Sequence, residues 1–182
     1  MSEVYTLTID GKDVAGNEGQ TVMEVAAENG IDIPALCHME GITDRGACRL
    51  CMVEIAGSPK LAAACMTKIA EGMAVTAHSD SLLEYRQTVT EMMFMERYHV
   101  CAVCVANNHC ELQSMADELG VKHFDLPRIN PAVDIDASHK FFAIDHNRCI
   151  LCLRCVRVCD EIEGAHTWDV MHRGLETRVQ TD

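Results

Sequence analysis

The alternation of apolar and polar residues near the amino terminus predicts a β-hairpin. In "VYTLTIDGKDVAG" two alternating runs meet at Asp10-Gly11, a dipeptide that favours a tight turn. The pattern then changes to helical spacing in "TVMEVAAENG". Thr21 and Glu24 have the spacing of a capping box, and Gly30 is placed to end this helix. The first 30 residues therefore predict a hairpin followed by a helix.

Three strand-like segments come next and are followed by helical patterns. The segments "CMVEIAG", "KLAAACMT" and "GMAVTAHS" complete a predicted α+β module that ends near Ser79. A second helix is expected to begin between Ser79 and Ser81, with a capping box formed by Ser81 and Glu84. Apolar residues recur along it at helical spacing and predict a stripe for core or subunit packing, although a ligand surface is the alternative. The members of this stripe are Leu82, Tyr85, Val89, Met92 and Met93.

The remaining pattern predicts a third helix, a linker and a short strand. The segment "ELQSMADELG" has helical spacing and should end at Gly120. Its apolar face would contain Leu112, Met115, Ala116 and Leu119. Pro127 and Pro131 interrupt "DLPRINPAVDID", which predicts a linker. "KFFAIDHN" then predicts a strand that leads into a dense run of cysteines.

Composition and charge narrow the function classes. Aromatic residues make up only 4% of the 182 residues, and a thin core of this kind is often stabilised by a metal or by disulfides. The net charge of −13 argues against nucleic-acid binding. No secretory signal and no apolar run of membrane-spanning length is visible, so we expect a cytoplasmic protein. In that compartment thiols stay reduced, and the eleven cysteines indicate metal binding.

The first cysteine group suits a [2Fe–2S] cluster. Four thiolates supply two ligands to each iron, and Gly46 allows close approach of the backbone. A four-cysteine zinc site is the alternative, but such sites favour two C-x2-C pairs and only one is present. His38 is expected to be a neighbour and not a ligand. The candidate ligands are Cys37, Cys48, Cys51 and Cys65.

The second group, "HVCAVCVANNHC", provides three cysteines and two histidines. A cubane [4Fe–4S] cluster needs a fourth ligand, and a neutral imidazole can supply it. We favour His99, because it precedes the cysteine loop, over His109, which adjoins Cys110 and should point away. A Cys3His zinc site remains the alternative. The candidate ligands are His99, Cys101, Cys104 and Cys110.

The third group, "CILCLRCVRVCD", has the C-x2-C-x2-C-x3-C spacing of ferredoxin [4Fe–4S] motifs. In two-cluster ferredoxins the fourth cysteine of such a run ligates the other cluster. Cys159 is therefore the least certain of the candidate ligands Cys149, Cys152, Cys155 and Cys159. Three arginines, Arg148, Arg154 and Arg157, are interspersed and could offset cluster charge, face a partner or lie on a solvated surface. We expect this third site to be incomplete or dependent on a partner; the alternatives are that Cys159 completes the cluster or that another ligand replaces it.

Motifs for other chemistry are absent from the sequence. It contains no G-x-G-x-x-G segment after a strand, no P-loop and no C-x-x-C-H haem motif. We find no convincing nucleophile arrangement, because every cysteine belongs to one of the three groups. The chain is thus expected to have no active site of its own and to bind neither FMN nor NAD.

The order and spacing of these three groups resemble a known family. "ERYHVCAVCVANNHCELQ" and "DHNRCILCLRCVRVCDEIEGAHTWDV" look like the small diaphorase subunit of NAD-reducing, Hox-type nickel–iron hydrogenases. The same region is related to the amino-terminal part of the complex I large iron–sulfur subunit and of iron-only hydrogenases. Complex I members generally place the histidine where this chain has Arg97, whereas His99 matches the hydrogenase-linked proteins.

The resemblance implies an α+β fold made of three iron–sulfur domains. These are a β-grasp [2Fe–2S] domain over residues 1–79, a helical His/Cys3 [4Fe–4S] domain over 80–121, and a linker with a partial ferredoxin-like [4Fe–4S] domain over 122–182. It implies an electron relay between a nickel–iron hydrogenase, made of small and large subunits, and a diaphorase subunit that binds FMN and NAD. The alternatives are a subunit of complex I, an iron-only hydrogenase or a formate dehydrogenase, and a zinc-stabilised assembly module without redox function.

Overall fold

The structure is a computed structural model that describes residues 3–129 and 133–181. Pro131 of the predicted linker lies outside the described residues. The chain divides into two compact units. One comprises Met1–His38 with Asp44–Arg86, and the other comprises Met39–Thr43 with Gln87–Asp182.

The first unit is built on a five-stranded mixed sheet. Its strands are β1 (Val4–Ile9), β2 (Lys12–Asn17), β3 (Met52–Ile55), β4 (Ala62–Ala63) and β5 (Ala74–Thr76), in the order β2-β1-β5-β3-β4. β1 pairs in parallel with β5, and the other neighbours are antiparallel. The predicted hairpin is confirmed, with left-handed backbone at Asp10 and Gly11 in the turn. All three later strands form, although β4 is much shorter than its segment.

Helix α1 (Val22–Glu28) packs closely against this sheet. The capping box predicted from Thr21 and Glu24 is present. A Cβ atom on Gly16 would lie 2.5 Å from Cγ2 of Val25, so glycine in β2 permits the close approach of the helix. The sheet and helix form the β-grasp arrangement that the resemblance implies. Their shared core includes Leu7, Ile9, Val14, Val22, Val25, Val53, Ile69 and Val75.

Helix α2 (Asp80–Glu96) begins within the predicted range, but its cap differs from the prediction. The hydroxyl of Ser79 accepts the N–H of Leu82 at 3.2 Å and so caps the helix. Ser81 lies inside the first turn, where its hydroxyl donates to the carboxylate of Glu54. The expected capping box of Ser81 and Glu84 is therefore wrong, because the chain enters the helix two residues earlier.

The buried face of α2 also differs from the predicted stripe. Leu82 is buried as expected, but Met92 is 52% exposed. The buried positions instead continue through Arg86, Thr90 and Phe94, at a spacing of four residues. The prediction is therefore partly correct: Tyr85, Val89 and Met93 are half-buried, and Tyr85 packs against the core of the first unit. It missed Arg86 and Thr90, because hydropathy alone does not mark polar residues on a buried row.

The second unit contains helix α3 (Glu111–Glu118), helix α4 (Arg154–Arg157) and a hairpin of β6 (Trp168–Met171) and β7 (Arg178–Thr181). Short 3-10 turns lie at Cys101–Val103, His146–Arg148 and Gly174–Glu176, and α4 continues into a π-helical turn at Val158–Ile162. The third predicted helix is confirmed, with all four of its apolar residues buried. The hairpin was not predicted from the sequence.

The strand predicted from "KFFAIDHN" is wrong. Only Ile144 pairs, through an isolated bridge to Asp136. The ring of Phe142 stacks on His139 at 4.2 Å and contacts Trp168 at 5.5 Å, whereas Phe141 is largely exposed. The apolar pair thus packs locally and does not extend along a sheet.

In the part of the chain that the structure describes, no helix is long and apolar enough to cross a membrane.

Candidate metal centres

The four cysteines of the first group are withdrawn from solvent. Each is at most 5% exposed in the first unit. Cys48 and Cys51 lie in the loop that enters β3, and Cys65 follows β4. Left-handed backbone at Gly46 shapes this loop, and a Cβ there would lie 3.2 Å from Met66. The sulfurs therefore share a dry environment, as an iron–sulfur cluster requires.

These four sulfurs form two pairs. Sγ of Cys51 lies 3.4 Å from Sγ of Cys65, and the thiols of Cys37 and Cys48 are hydrogen-bonded to each other. Across residues 3–129 and 133–181, no three histidine, cysteine or acidic side chains are close enough to hold a single metal ion. Two pairs of thiolates match the two irons of a [2Fe–2S] cluster, so the arrangement fits that group.

Backbone amides favour negative charge at this site. The pKa of Cys48 is lowered to about 5, first by the hydrogen bond from the Cys37 thiol and then by the N–H groups of Leu50, Leu36 and Cys37. The N–H of Leu36 lies 3.4 Å from the Cys48 sulfur. Amides of this kind stabilise the negative charge of a sulfur-ligated cluster.

Two further side chains support this loop. His38, expected to be a neighbour, places Nδ1 3.0 Å from a carboxylate oxygen of Asp44. Arg86 is 3% exposed and donates to the carbonyls of Leu50, Met52 and Ala77, at 3.0, 3.1 and 2.8 Å. Sequence reasoning missed Arg86. The available signal was its position four residues after Leu82, on the buried row of α2.

The predicted ligands of the second group line one cavity in the second unit. The imidazole of His99 is the decisive feature. Its Nε2 atom is buried without a hydrogen-bond partner, whereas the ring donates through its other nitrogen to the backbone carbonyl of Met93. Burial lowers the pKa of His99 and favours the neutral ring. The cavity lining includes His99, Cys101, Cys104 and Cys110.

This arrangement fits an iron ligand. Metal-bound histidines usually donate the second ring N–H to a carbonyl or carboxylate, which fixes the tautomer and the ring orientation. Phe94 contacts the imidazole edge-on, with ring centroids 5.5 Å apart. His109 is exposed and lies outside the residues that line the cavity. Three thiols and one orphaned nitrogen therefore match the donor set of a histidine-ligated [4Fe–4S] cluster.

The first three cysteines of the third group lie in a tightly wound loop. Leu151 and Leu153 both have left-handed backbone, and the N–H of Leu151 lies 3.4 Å from the Cys149 sulfur. The pKa of Cys155 is raised, first by burial and then by the nearby thiols of Cys152 and Cys149. The loop thus brings these three sulfurs into one electrostatic group, as expected for three corners of one cluster.

Cys159 is held in a different way. It is 7% exposed, and its sulfur lies 3.3 Å from the hydroxyl oxygen of Thr167. Its pKa is lowered, first by the Thr167 side chain and then by the N–H groups of Thr167, Trp168 and His166. The loop that precedes β6 and the first residue of that strand therefore provide the partners of Cys159.

The three arginines of this motif have defined contacts. Arg157 is only 2% exposed and donates to the carbonyls of Cys152, Leu153 and Thr43. A solvated-surface role is therefore wrong for Arg157, because it supports the backbone of the cysteine loop. Arg154 forms an ion pair with Glu111, and Arg148 lines the cavity of the second group.

Comparison with protein families assigns iron–sulfur regions along most of the chain. Residues 2–80 match a 2Fe-2S iron-sulfur cluster binding domain. Residues 86–124 match the NADH-ubiquinone oxidoreductase-G iron-sulfur binding region, and residues 140–182 match the ferredoxin-like domain of NADH-quinone oxidoreductase subunit 3. The chain therefore carries a [2Fe–2S] domain and [4Fe–4S] regions, as predicted. The exact domain boundaries at 79 and 121 stay predictions.

The gamma subunit of the NAD-reducing hydrogenase HoxS from Cupriavidus necator is 34% identical over 177 residues, which cover 97% of this chain and 75% of that subunit. This chain belongs to the same family. The resemblance to the hydrogenase-linked iron–sulfur subunits is thus confirmed, and the iron–sulfur regions support electron transfer as the function.

A crystal structure of an NAD+-reducing [NiFe]-hydrogenase in the H2-reduced state contains a similar chain. The match has a TM-score of 0.92 and 36% identity, and it covers 97% of this chain and 74% of that one. The alpha subunit of the NADPH-Fe(3+) oxidoreductase from Geobacter sulfurreducens is 37% identical over 178 residues. This chain spans only 21% of that larger relative.

Proposed function

We propose that this protein is the electron-relay subunit of a hydrogenase complex that reduces NAD. In this role it passes electrons between a nickel–iron hydrogenase module and a diaphorase subunit that holds FMN and binds NAD. The proposal is supported by its family and by the second cavity, which is lined by three cysteines and by His99, whose Nε2 atom is buried without a hydrogen-bond partner. That cavity is the single observation on which the relay assignment depends most.

The proposed iron ligands are the residues of the three cysteine groups. Each site would supply a one-electron carrier when its cluster is bound. Cys37, Cys48, Cys51 and Cys65 would hold the [2Fe–2S] cluster through the two sulfur pairs. His99, Cys101, Cys104 and Cys110 would hold the second cluster. Cys149, Cys152 and Cys155 would hold three corners of a third cluster, with Cys159 the least certain ligand.

The chain's own residues would hold the clusters and adjust their potentials through burial, amide contacts and charged neighbours. We propose no catalytic site on this chain, and FMN and NAD would belong to the diaphorase partner. Isolated protein should then oxidise neither H2 nor NADH at an appreciable rate. Robust turnover of either substrate by the purified polypeptide would contradict the proposal.

Iron and sulfide analysis of the full chain, purified without oxygen, tests the cluster content. We expect about six irons per chain if two sites are filled and about ten if all three are filled. Visible absorbance that bleaches with dithionite and EPR signals from the reduced protein should accompany the iron. A colourless protein that contains zinc would instead support the non-redox assembly module.

Co-purification of a tagged chain from its native cells identifies the complex. Hydrogenase small and large subunits together with an FMN-containing subunit are the expected partners. If the chain is instead recovered with subunits of complex I, an iron-only hydrogenase or a formate dehydrogenase, it would be assigned as an electron-transfer subunit of that complex. We also propose a cytoplasmic location, because cysteines remain available as metal ligands where thiols stay reduced.

A further inference from the structure

Arg148 occupies a position between two of the proposed cluster sites of the second unit. It ends the 3-10 turn His146–Arg148 and directly precedes Cys149 of the third group. Its side chain nevertheless lines the cavity of the second group, together with His99 and Cys104. The backbone of Arg148 therefore belongs to the loop of the third site, whereas its side chain lies at the cavity of the second site.

The guanidinium is held in place by a polar network. Nε of Arg148 lies 2.9 Å from Oδ2 of Asp145. The other carboxylate oxygen accepts the backbone N–H and the side-chain amide of Asn147, at 3.1 and 3.0 Å. Asn147 in turn bonds the backbone of Val133 through both its amide nitrogen and its oxygen. This network restricts the freedom of Arg148 before any cluster binds.

Arg148 is directed at a proposed iron ligand. Its side chain donates a hydrogen bond to the sulfur of Cys104, and the N–H of Ala106 donates to the same sulfur. Both donors place positive charge beside the sulfur and so favour negative charge on it. Hydrogen bonds to ligand sulfurs are among the main determinants of iron–sulfur reduction potentials.

We propose that Arg148 raises the reduction potential of the second cluster by donating to the sulfur of Cys104. The inference rests on the proposed function, because it requires a cluster in the cavity. An added electron increases the negative charge on the ligand sulfurs, so a charged donor stabilises the reduced state more than the oxidised state. Because Asp145 offsets the charge of the guanidinium at long range, the direct hydrogen bond carries most of the effect.

The test compares variants of the full chain in a redox titration followed by EPR. The signal of the second cluster is first identified by its loss in Cys104→Ala. Arg148→Gln should retain the iron content of the wild type but lower the reduction potential. We expect the one-electron equilibrium to shift about tenfold towards the oxidised cluster, which corresponds to about 59 mV. Arg148→Lys keeps a cationic donor and should lie between the wild type and Arg148→Gln.

Arg173→Gln is the matched control, because it removes one arginine charge from an exposed position of the same unit. It should leave the potential unchanged. An unchanged potential in Arg148→Gln, with full iron content, would overturn the inference while leaving the relay proposal intact. Loss of the second cluster from both Arg148 variants but not from the control would show a purely structural role and would also overturn it. A wild-type chain without a cluster in this site would instead contradict the proposed function.

Discussion

Nη1 of Arg154 donates to both carboxylate oxygens of Glu111, at 2.8 and 2.7 Å. Glu111 directly follows Cys110 of the second group, and Arg154 directly precedes Cys155 of the third. The pair therefore links the two cysteine loops of the second unit through neighbours of their proposed iron ligands. It accompanies the contact of Arg148 with Cys104, so two arginines of the third motif reach the second site.

This ion pair should contribute little to overall stability. The side chain of Glu111 is 66% exposed and that of Arg154 is 19% exposed, so water and salt screen their attraction. We expect the coupling free energy between Glu111→Gln and Arg154→Gln to be below about 1 kcal/mol and to decrease at high salt. A double-mutant cycle of denaturant unfolding, repeated at low and high ionic strength, measures it. A coupling of several kcal/mol that does not depend on salt would contradict this expectation.

The sequence predicted elements whose determinants are local. The Asp10-Gly11 turn and the capping box of Thr21 and Glu24 depend on neighbouring residues only, and both are present. Helix α2 shows the limit of that reasoning. Its buried row includes Arg86, and two of the carbonyls that accept from it, those of Leu50 and Met52, lie 36 and 34 residues earlier in the sequence. Hydropathy cannot identify a buried arginine whose charge is satisfied by tertiary contacts.

The same distinction applies to the candidate sites. Cysteine spacing separates the three groups, because short loops must wrap each cluster. The sequence could also favour His99 over His109, and the structure places the former in the cavity and the latter outside its lining. Two contacts of the third group could not be predicted, because both depend on tertiary packing. Arg157 is buried where it donates to the distant carbonyl of Thr43, and the side chain of Arg148 contacts the distant sulfur of Cys104.

Replacement of His99 should remove the second cluster selectively. Its Nε2 atom has no hydrogen-bond partner in the protein, so no hydrogen bond of that atom is lost in His99→Ala. We expect a loss of up to four irons per chain, while the other sites keep their content. His99→Cys should retain the cluster with a lower reduction potential, because thiolate adds negative charge where imidazole is neutral. Iron and sulfide analysis with EPR measures both effects.

His109→Ala is the control for this experiment, because His109 lies in the same loop but is exposed. It should keep the iron content and the EPR spectrum of the wild type. If His109→Ala lost the cluster and His99→Ala kept it, the assignment of the fourth ligand would be reversed.

Replacement of Arg86 should weaken the first unit and its cluster. Arg86→Met would leave the carbonyls of Leu50, Met52 and Ala77 without their buried donor. We expect the free energy of unfolding to fall by about 2–4 kcal/mol, because charge-assisted hydrogen bonds are lost and buried acceptors stay unpaired. Since Leu50 adjoins Cys51, the [2Fe–2S] absorbance should also decay faster. Urea unfolding followed by circular dichroism and visible absorbance measures both changes.

Arg86→Lys distinguishes charge from geometry, because an ammonium group cannot reproduce the fork of a guanidinium. It should recover only part of the lost stability. Lys60→Gln, at an exposed position of the same unit, should have an effect within about 0.5 kcal/mol. Wild-type stability in Arg86→Met would refute the role assigned to these three contacts.

His146 should make the stability of the second unit depend on pH. It is 3% exposed, and its pKa is lowered, first by burial and then by the nearby charge of Arg178. In the unfolded chain the ring takes up a proton near its ordinary pKa of 6.5, before the folded protein does. Stability is therefore complete above that pH and declines as the pH falls below it, by at most about 1.4 kcal/mol per pH unit. Thermal unfolding of the cluster-loaded protein measures this slope. The pH range runs from about 7.5 to about 5.5, about one unit on either side of this pKa.

The His146→Gln variant should show a weaker dependence of stability on pH, whereas the variant of exposed His123, His123→Gln, should keep the dependence of the wild type. Equal slopes in the wild type and His146→Gln would show that another group titrates.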